Sequence, residues 1–143
     1  MIFSAQQLFS DDQAITASAD STNVIDLGVR ATPFGAVAAL TGDIGKGTMI
    51  PLLAQVTEAF NTLTTLEIKV STGATTALGT TILSQTIALA DLLVGKQLSF
   101  CVLPKDITER YLGIEYVVVG TAPTVGKITA GITMGNQTNI TGA

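Results

Sequence analysis

Between Arg110 and Met134 the chain reads RYLGIEYVVVGTAPTVGKITAGITM, two runs of alternating residues on either side of a Gly/Pro loop. A period of two is the geometry of a strand with one face buried and the other wet, so this stretch is expected to be β-structure. In the second run Ile128, Ala130, Ile132 and Met134 share one face, opposite Lys127, Thr129, Gly131 and Thr133. In the first, Leu112, Ile114, Tyr116 and Val118 form one row. The other row, Tyr111, Gly113, Glu115, Val117 and Val119, is apolar enough for the strand to be covered on both sides. Two such runs in succession predict a β-hairpin. The loop over residues 120–126 carries Pro123 and is too long for a two-residue turn, so register would come from the buried rows.

The same alternation recurs upstream. Ile50, Leu52, Ala54 and Val56 form a row that opens at Pro51, which suits an edge strand or a first strand position. Leu66, Ile68 and Val70 face inward against Glu67, Lys69 and Ser71, and Phe60 plugs the connection between these two strands. Residues 23–27 and 80–89 read as further strands, the second followed by a short helical turn that Gly95 stops. Residues 97–103 alternate Leu98, Phe100 and Val102 against Gln97, Ser99, Cys101 and Leu103. Some eight short strands and no long helix predict an all-β fold, an antiparallel β-sandwich or jelly roll. Its expected divisions are an N-terminal arm over residues 1–12, the sandwich over 13–134 and a polar tail over 135–143.

Composition narrows the function. A chain of 143 residues makes one domain and buries roughly two-thirds of its unfolded surface. Only 13% of it is charged, against about 25% in an ordinary soluble domain. Small uncharged Thr, Ala, Ser and Gly must cover the surface instead, which suits a protein pressed against neighbours; a monomeric Thr-rich sandwich is the alternative. A net charge of −4 with seven scattered Lys and Arg argues against nucleic acid. The longest uncharged internal stretch, between Lys69 and Asp91, is broken by Thr, Ser, Gly and Gln, so no membrane span is expected. The first residues carry no basic region ahead of an apolar core, so no secretory signal is expected either.

Chemistry is equally constrained. With no histidine and one cysteine, Cys101, the chain can form neither an internal disulfide, a Cys–His pair nor a Ser–His–Asp triad. Asp106, Glu109 and Arg110 read as a solvated loop with local ion pairs. The run Gly45, Lys46, Gly47, Thr48 echoes a phosphate-binding loop, but Leu40 stands where that loop needs glycine, and Pro51 and a strand stand where it needs a helix. No enzyme activity, cofactor or metal is expected.

Two apolar segments are the candidate contacts. Ile2, Phe3, Leu8 and Phe9 lie close to the N-terminus, where helical, extended and arm-like readings all stand. Such a segment either folds back on its own core or reaches for a partner. Residues 31–40, ATPFGAVAAL, carry Pro33, Phe34, Val37 and Leu40 and no charge. They form either a short strand at 36–40 or a long loop, and long loops in compact domains tend to be functional. Phe34 is then an exposed anchor, or it packs under its own loop.

Three segments together resemble a known family: QLFSDDQAITASADSTNVIDLG, LLAQVTEAFNTLTTLEIKVSTG and LADLLVGKQLSFCVLPKDITERYLGIEYVVVGTAPTVGKITAGI. They are similar to the capsid cement proteins of certain tailed phages, most specifically in LPKDITERYLGIEYVVVGT and GKITAGI. The segment over 31–40 departs from the family in being longer. The resemblance implies a small sandwich or jelly roll on the outside of the virion capsid, bridging neighbouring capsomers of major capsid protein. It implies no catalytic residues. A homo-oligomer is expected, a dimer ahead of a trimer, made in the host cytoplasm. A ligand-binding β-sandwich for carbohydrate or a host surface is the alternative, although the chain has no Trp and only two Tyr.

Overall fold

The computed structural model describes residues 3–47, 49–98 and 102–134. It contains eight strands: β1 Phe3–Ala14, β2 Ala19–Asp20, β3 Ile25–Asp26, β4 Leu52–Glu58, β5 Leu63–Gly73, β6 Thr80–Ala88, β7 Tyr111–Gly120 and β8 Lys127–Thr133. One 3-10 turn, Leu89–Asp91, follows β6. The strands form two antiparallel sheets, ordered β1-β8-β4 and β2-β7-β5-β6, with β3 also on β7. The chain is an antiparallel β-sandwich. Isolated bridges from Gln97 to Gln55 and from Val102 to Pro51 add a further segment alongside β4. First strand beside last and second beside next-to-last is the wrapping of a jelly roll.

The inward rows meet in one core. Leu66, Ile68 and Val70 of β5 and Leu112, Ile114 and Tyr116 of β7 line one wall, facing Leu52, Ala54 and Val56 of β4, Ile128 and Ala130 of β8, and Phe9 of β1. Phe60 is buried in the corner between β4 and β5, as its place in the sequence predicts. The two sheets are also joined by polar atoms, because the buried Tyr116 hydroxyl lies 2.8 Å from Ser10 Oγ.

Several expectations are corrected. The strands β7 and β8 do not form a hairpin; they lie in different sheets, and residues 121–126 cross between them. That crossing is held by the β4–β5 corner. Asn61 Oδ1 accepts from Thr124 N at 2.9 Å, Asn61 Nδ2 donates to Thr124 Oγ1 at 2.8 Å, and Gly126 is seated so close to the Phe60 ring that a Cβ there would lie 2.3 Å from it. On β8 the buried row stops at Ala130: Ile132 is half-buried and Met134 is exposed. Of the strand foreseen over 97–103, the described residues show a bridge at Gln97 and one at Val102, with Val102 exposed and Leu103 buried, the reverse of their expected rows. Residues 99–101, including Phe100 and Cys101, lie outside the described residues, as do Ile2, Thr48 and the tail 135–143.

At the N-terminus the boundary expected at residue 12 falls inside β1, which pairs with β8 from Phe3↔Thr133 to Ala14↔Lys127 with three register shifts. The segment folds back on its own core because Phe9 and Ile15 supply two large buried side chains to it.

Candidate functional site

Residues 27–51 connect β3 to β4 with no strand among the described residues, and the short strand considered for 36–40 is not formed. Local chemistry explains this. The carbonyl of Pro33 accepts from Ala36 N at 3.0 Å, closing a tight turn whose third residue is Gly35 at φ 82°, a conformation that glycine adopts without strain. A wider ring closes where Leu40 N donates to Ala31 O at 3.2 Å. The turn points its apolar residues outward: Phe34 and Val37 are fully exposed, and Pro33 and Leu40 are exposed beside them. Of the two readings of Phe34, the structure supports the exposed one.

Two carboxylates hold this loop, and both grip the segment that leads into β7. At the start of the loop, Arg110 donates from Nε to Asp26 Oδ1 at 2.8 Å and from Nη2 to Asp26 Oδ2 at 2.7 Å. Asp26 Oδ1 also accepts from Gly28 N at 2.8 Å, and the Arg110 guanidinium lies over the Tyr111 ring at 5.0 Å. The guanidinium first and the Gly28 N–H second hold the Asp26 carboxyl down to about 2, and Arg110 is raised in return. Towards the end of the loop, Asp43 Oδ2 accepts from Asp106 N at 2.7 Å while Oδ1 accepts from Ile107 N at 3.0 Å and Gly45 N at 3.1 Å. These donors, Asp106 N–H foremost, hold Asp43 below the usual carboxylate range. A Cβ on Gly45 would lie 1.7 Å from Pro104 O, so only glycine allows this close approach. Ile107, fully buried, fixes the gripped segment to the core.

The expected contact residues therefore separate. Pro33, Phe34, Val37 and Leu40 share one exposed loop, whereas Phe9 is core, Leu8 is half-buried against Gly131, and Phe3 is half-buried beside Thr133. Exposed Met49 and Met134 belong to the same end of the sandwich, since Thr133 N donates to Pro51 O at 3.1 Å. Sequence reasoning missed the clamps. Their local signal is an Asp two residues before a glycine, Asp26 with Gly28 and Asp43 with Gly45, the spacing at which a carboxylate caps its own turn. Arg110 is not part of a local ion pair as expected; its partner lies 84 residues away.

Among the described residues no three His, Cys, Asp or Glu come together to hold a metal ion. Burial pushes the Tyr116 phenol well above its ordinary pKa, leaving it a neutral hydrogen-bonding group. Ile44 and Gly45 form a turn closed by Lys46 N donating to Asp43 O at 3.3 Å, and the Asp43 carboxylate caps it by accepting from Gly45 N.

A family model described as Bbp16 matches residues 9–132 of the chain. No curated protein matches it.

Proposed function

This chain belongs to the Bbp16 family, and on that premise we propose that it is a non-enzymatic cement protein on the outside of a tailed-phage head, bridging neighbouring capsomers of major capsid protein. One observation carries the reading: a clamped loop on a rigid sandwich presents Phe34 and Val37 wholly to solvent. Exposed aromatic side chains on a fixed backbone lose little entropy on docking and make effective anchors. The resemblance of three segments to capsid cement proteins points the same way, and the low-charge, Thr/Ala-rich surface suits broad contact. A modest individual affinity suffices on a lattice, because sites held side by side act at high effective concentration.

Incubating the protein with undecorated phage shells tests this by co-sedimentation and by shell melting. Saturable, stoichiometric binding that raises the shell melting temperature is expected. A folded protein that leaves both unchanged rules the cement role out.

A further inference from the structure

The charges are not spread evenly over the sandwich. Of the seven Lys and Arg, four are ion-paired: Lys69 with Glu67 and Glu115, Lys96 with Asp91, Arg110 with Asp26, and Lys127 with Asp12 and Glu58. The three without an ion pair among the described residues, Arg30, Lys46 and Lys105, all lie in the 27–51 loop or in the segment it grips. In that region Asp26, Asp43, Asp106 and Glu109 balance Arg30, Lys46, Lys105 and Arg110 one for one. The entire formal net charge of −4 therefore resides on the rest of the chain. The molecule is polarised, with an acidic body and a neutral end where Arg30, Lys46 and Lys105, which form no ion pair among the described residues, lie beside the apolar loop.

A cleft of about 370 Å³ opens at that end, lined by Lys46, Lys105, Thr41, Thr108, Asp43 and Asp106. Both oxygens of Asp43 are already engaged by backbone N–H groups, while Lys46 and Lys105 are exposed. From this polarity we propose that the loop end docks on a protein surface whose apolar socket receives Phe34 and Val37 and whose acidic rim meets Lys46 and Lys105. An acidic partner repels the body of the sandwich and admits this end, so charge selects the orientation in which the apolar tip arrives first. Asp106, in the same cleft, opposes the contact. The proposal rests on the cement reading and gives the chemistry of the capsid surface that would be met.

The test is a salt series of co-sedimentation with undecorated shells, using wild type, the double variant Lys46→Glu/Lys105→Glu, and Asp106→Asn. All three positions are exposed, and asparagine tolerates the left-handed backbone of Asp106, φ 74°. Wild-type binding should weaken with salt, the double variant should lose about tenfold or more, and Asp106→Asn should bind more tightly. Wild-type shell binding that is matched by the double variant across the salt series overturns this proposal and leaves the cement reading intact. A wild type that never binds shells removes both. A protein dimer in sedimentation velocity that the double variant dissolves assigns the surface to a second copy of this chain, and likewise overturns it.

Discussion

The hydroxyl of Tyr116 on β7 lies 2.8 Å from Ser10 Oγ on β1, a buried bond between the two sheets whose direction is set by its neighbours. Ser10 spends its only proton on Gln13 Oε1 at 2.7 Å, so Tyr116 must be the donor. Gln13 passes the link on, accepting from Thr22 N at 3.0 Å and donating to Asp20 O at 2.9 Å.

That direction predicts unequal costs. Tyr116→Phe removes a donor and leaves Ser10 bonded to Gln13, for a loss of about 1 kcal/mol. Ser10→Ala strands a buried phenol with no acceptor, for about 1–3 kcal/mol. Urea denaturation of both variants checks the order, and a Tyr116→Phe variant less stable than Ser10→Ala refutes the assigned direction.

Of the three phenylalanines named as candidate contacts from the sequence, Phe34 and Phe9 should behave oppositely. Phe34→Ser alters a fully exposed side chain, so its unfolding free energy should stay within about 0.5 kcal/mol of wild type while shell binding falls roughly tenfold or more. Phe9→Ala empties a fully buried site and should cost about 3–5 kcal/mol. Thermal melts paired with co-sedimentation separate them. Wild-type decoration by Phe34→Ser would show that the loop tip is not the anchor.

Glycine requirements differ just as sharply along the chain. At Gly45 a new Cβ meets the Pro104 carbonyl at 1.7 Å, backbone against backbone, whereas at Gly79 it meets nothing within 4 Å. Gly45→Ala should destabilise by about 1–3 kcal/mol, and Gly79→Ala should lie within about 0.5 kcal/mol of wild type. Limited proteolysis should cut the 27–51 loop faster in Gly45→Ala alone.

Acid should weaken the clamps by protonating Asp26 and Asp43. The Asp26 carboxyl sits at about 2 in the folded protein, below its ordinary 3.8, so ionised Asp26 favours the gripped loop. That contribution is complete above the ordinary value and is lost as pH falls through about 2. Asp43, also lowered, works in the same sense. In NMR the Gly28 amide should titrate with the Asp26 carboxyl and the Gly45, Asp106 and Ile107 amides with Asp43. A Gly28 midpoint at the ordinary carboxylate value would mean that Arg110 does not grip Asp26 in solution.

How much was legible in the sequence varies by element. The rows Leu66, Ile68, Val70 and Leu112, Ile114, Tyr116 were readable because side-chain direction in a strand is a local consequence of the backbone period. The segment at Phe34 was legible only as two alternatives, strand or loop, and the Pro33–Ala36 turn with Gly35 at positive φ decides for the loop. The placing of β7 beside β8 was misread, because alternation says which face is buried and is silent about which strand lies alongside. Phe9 illustrates the same limit: its apolarity demands burial, but nothing nearby says whether its own core or another chain provides it.

The chain's own residues thus determined the β-structure, its inward rows and its turns, since those depend on sterics and hydrophobic spacing over a few neighbours. Only the tertiary structure decided the sheet order, the burial of Phe9 and the clamping of the loop by Asp26 and Asp43. Those features join residues as far apart in the chain as Phe3 and Thr133, and it takes the burial of the whole core to bring such distant groups within hydrogen-bonding range.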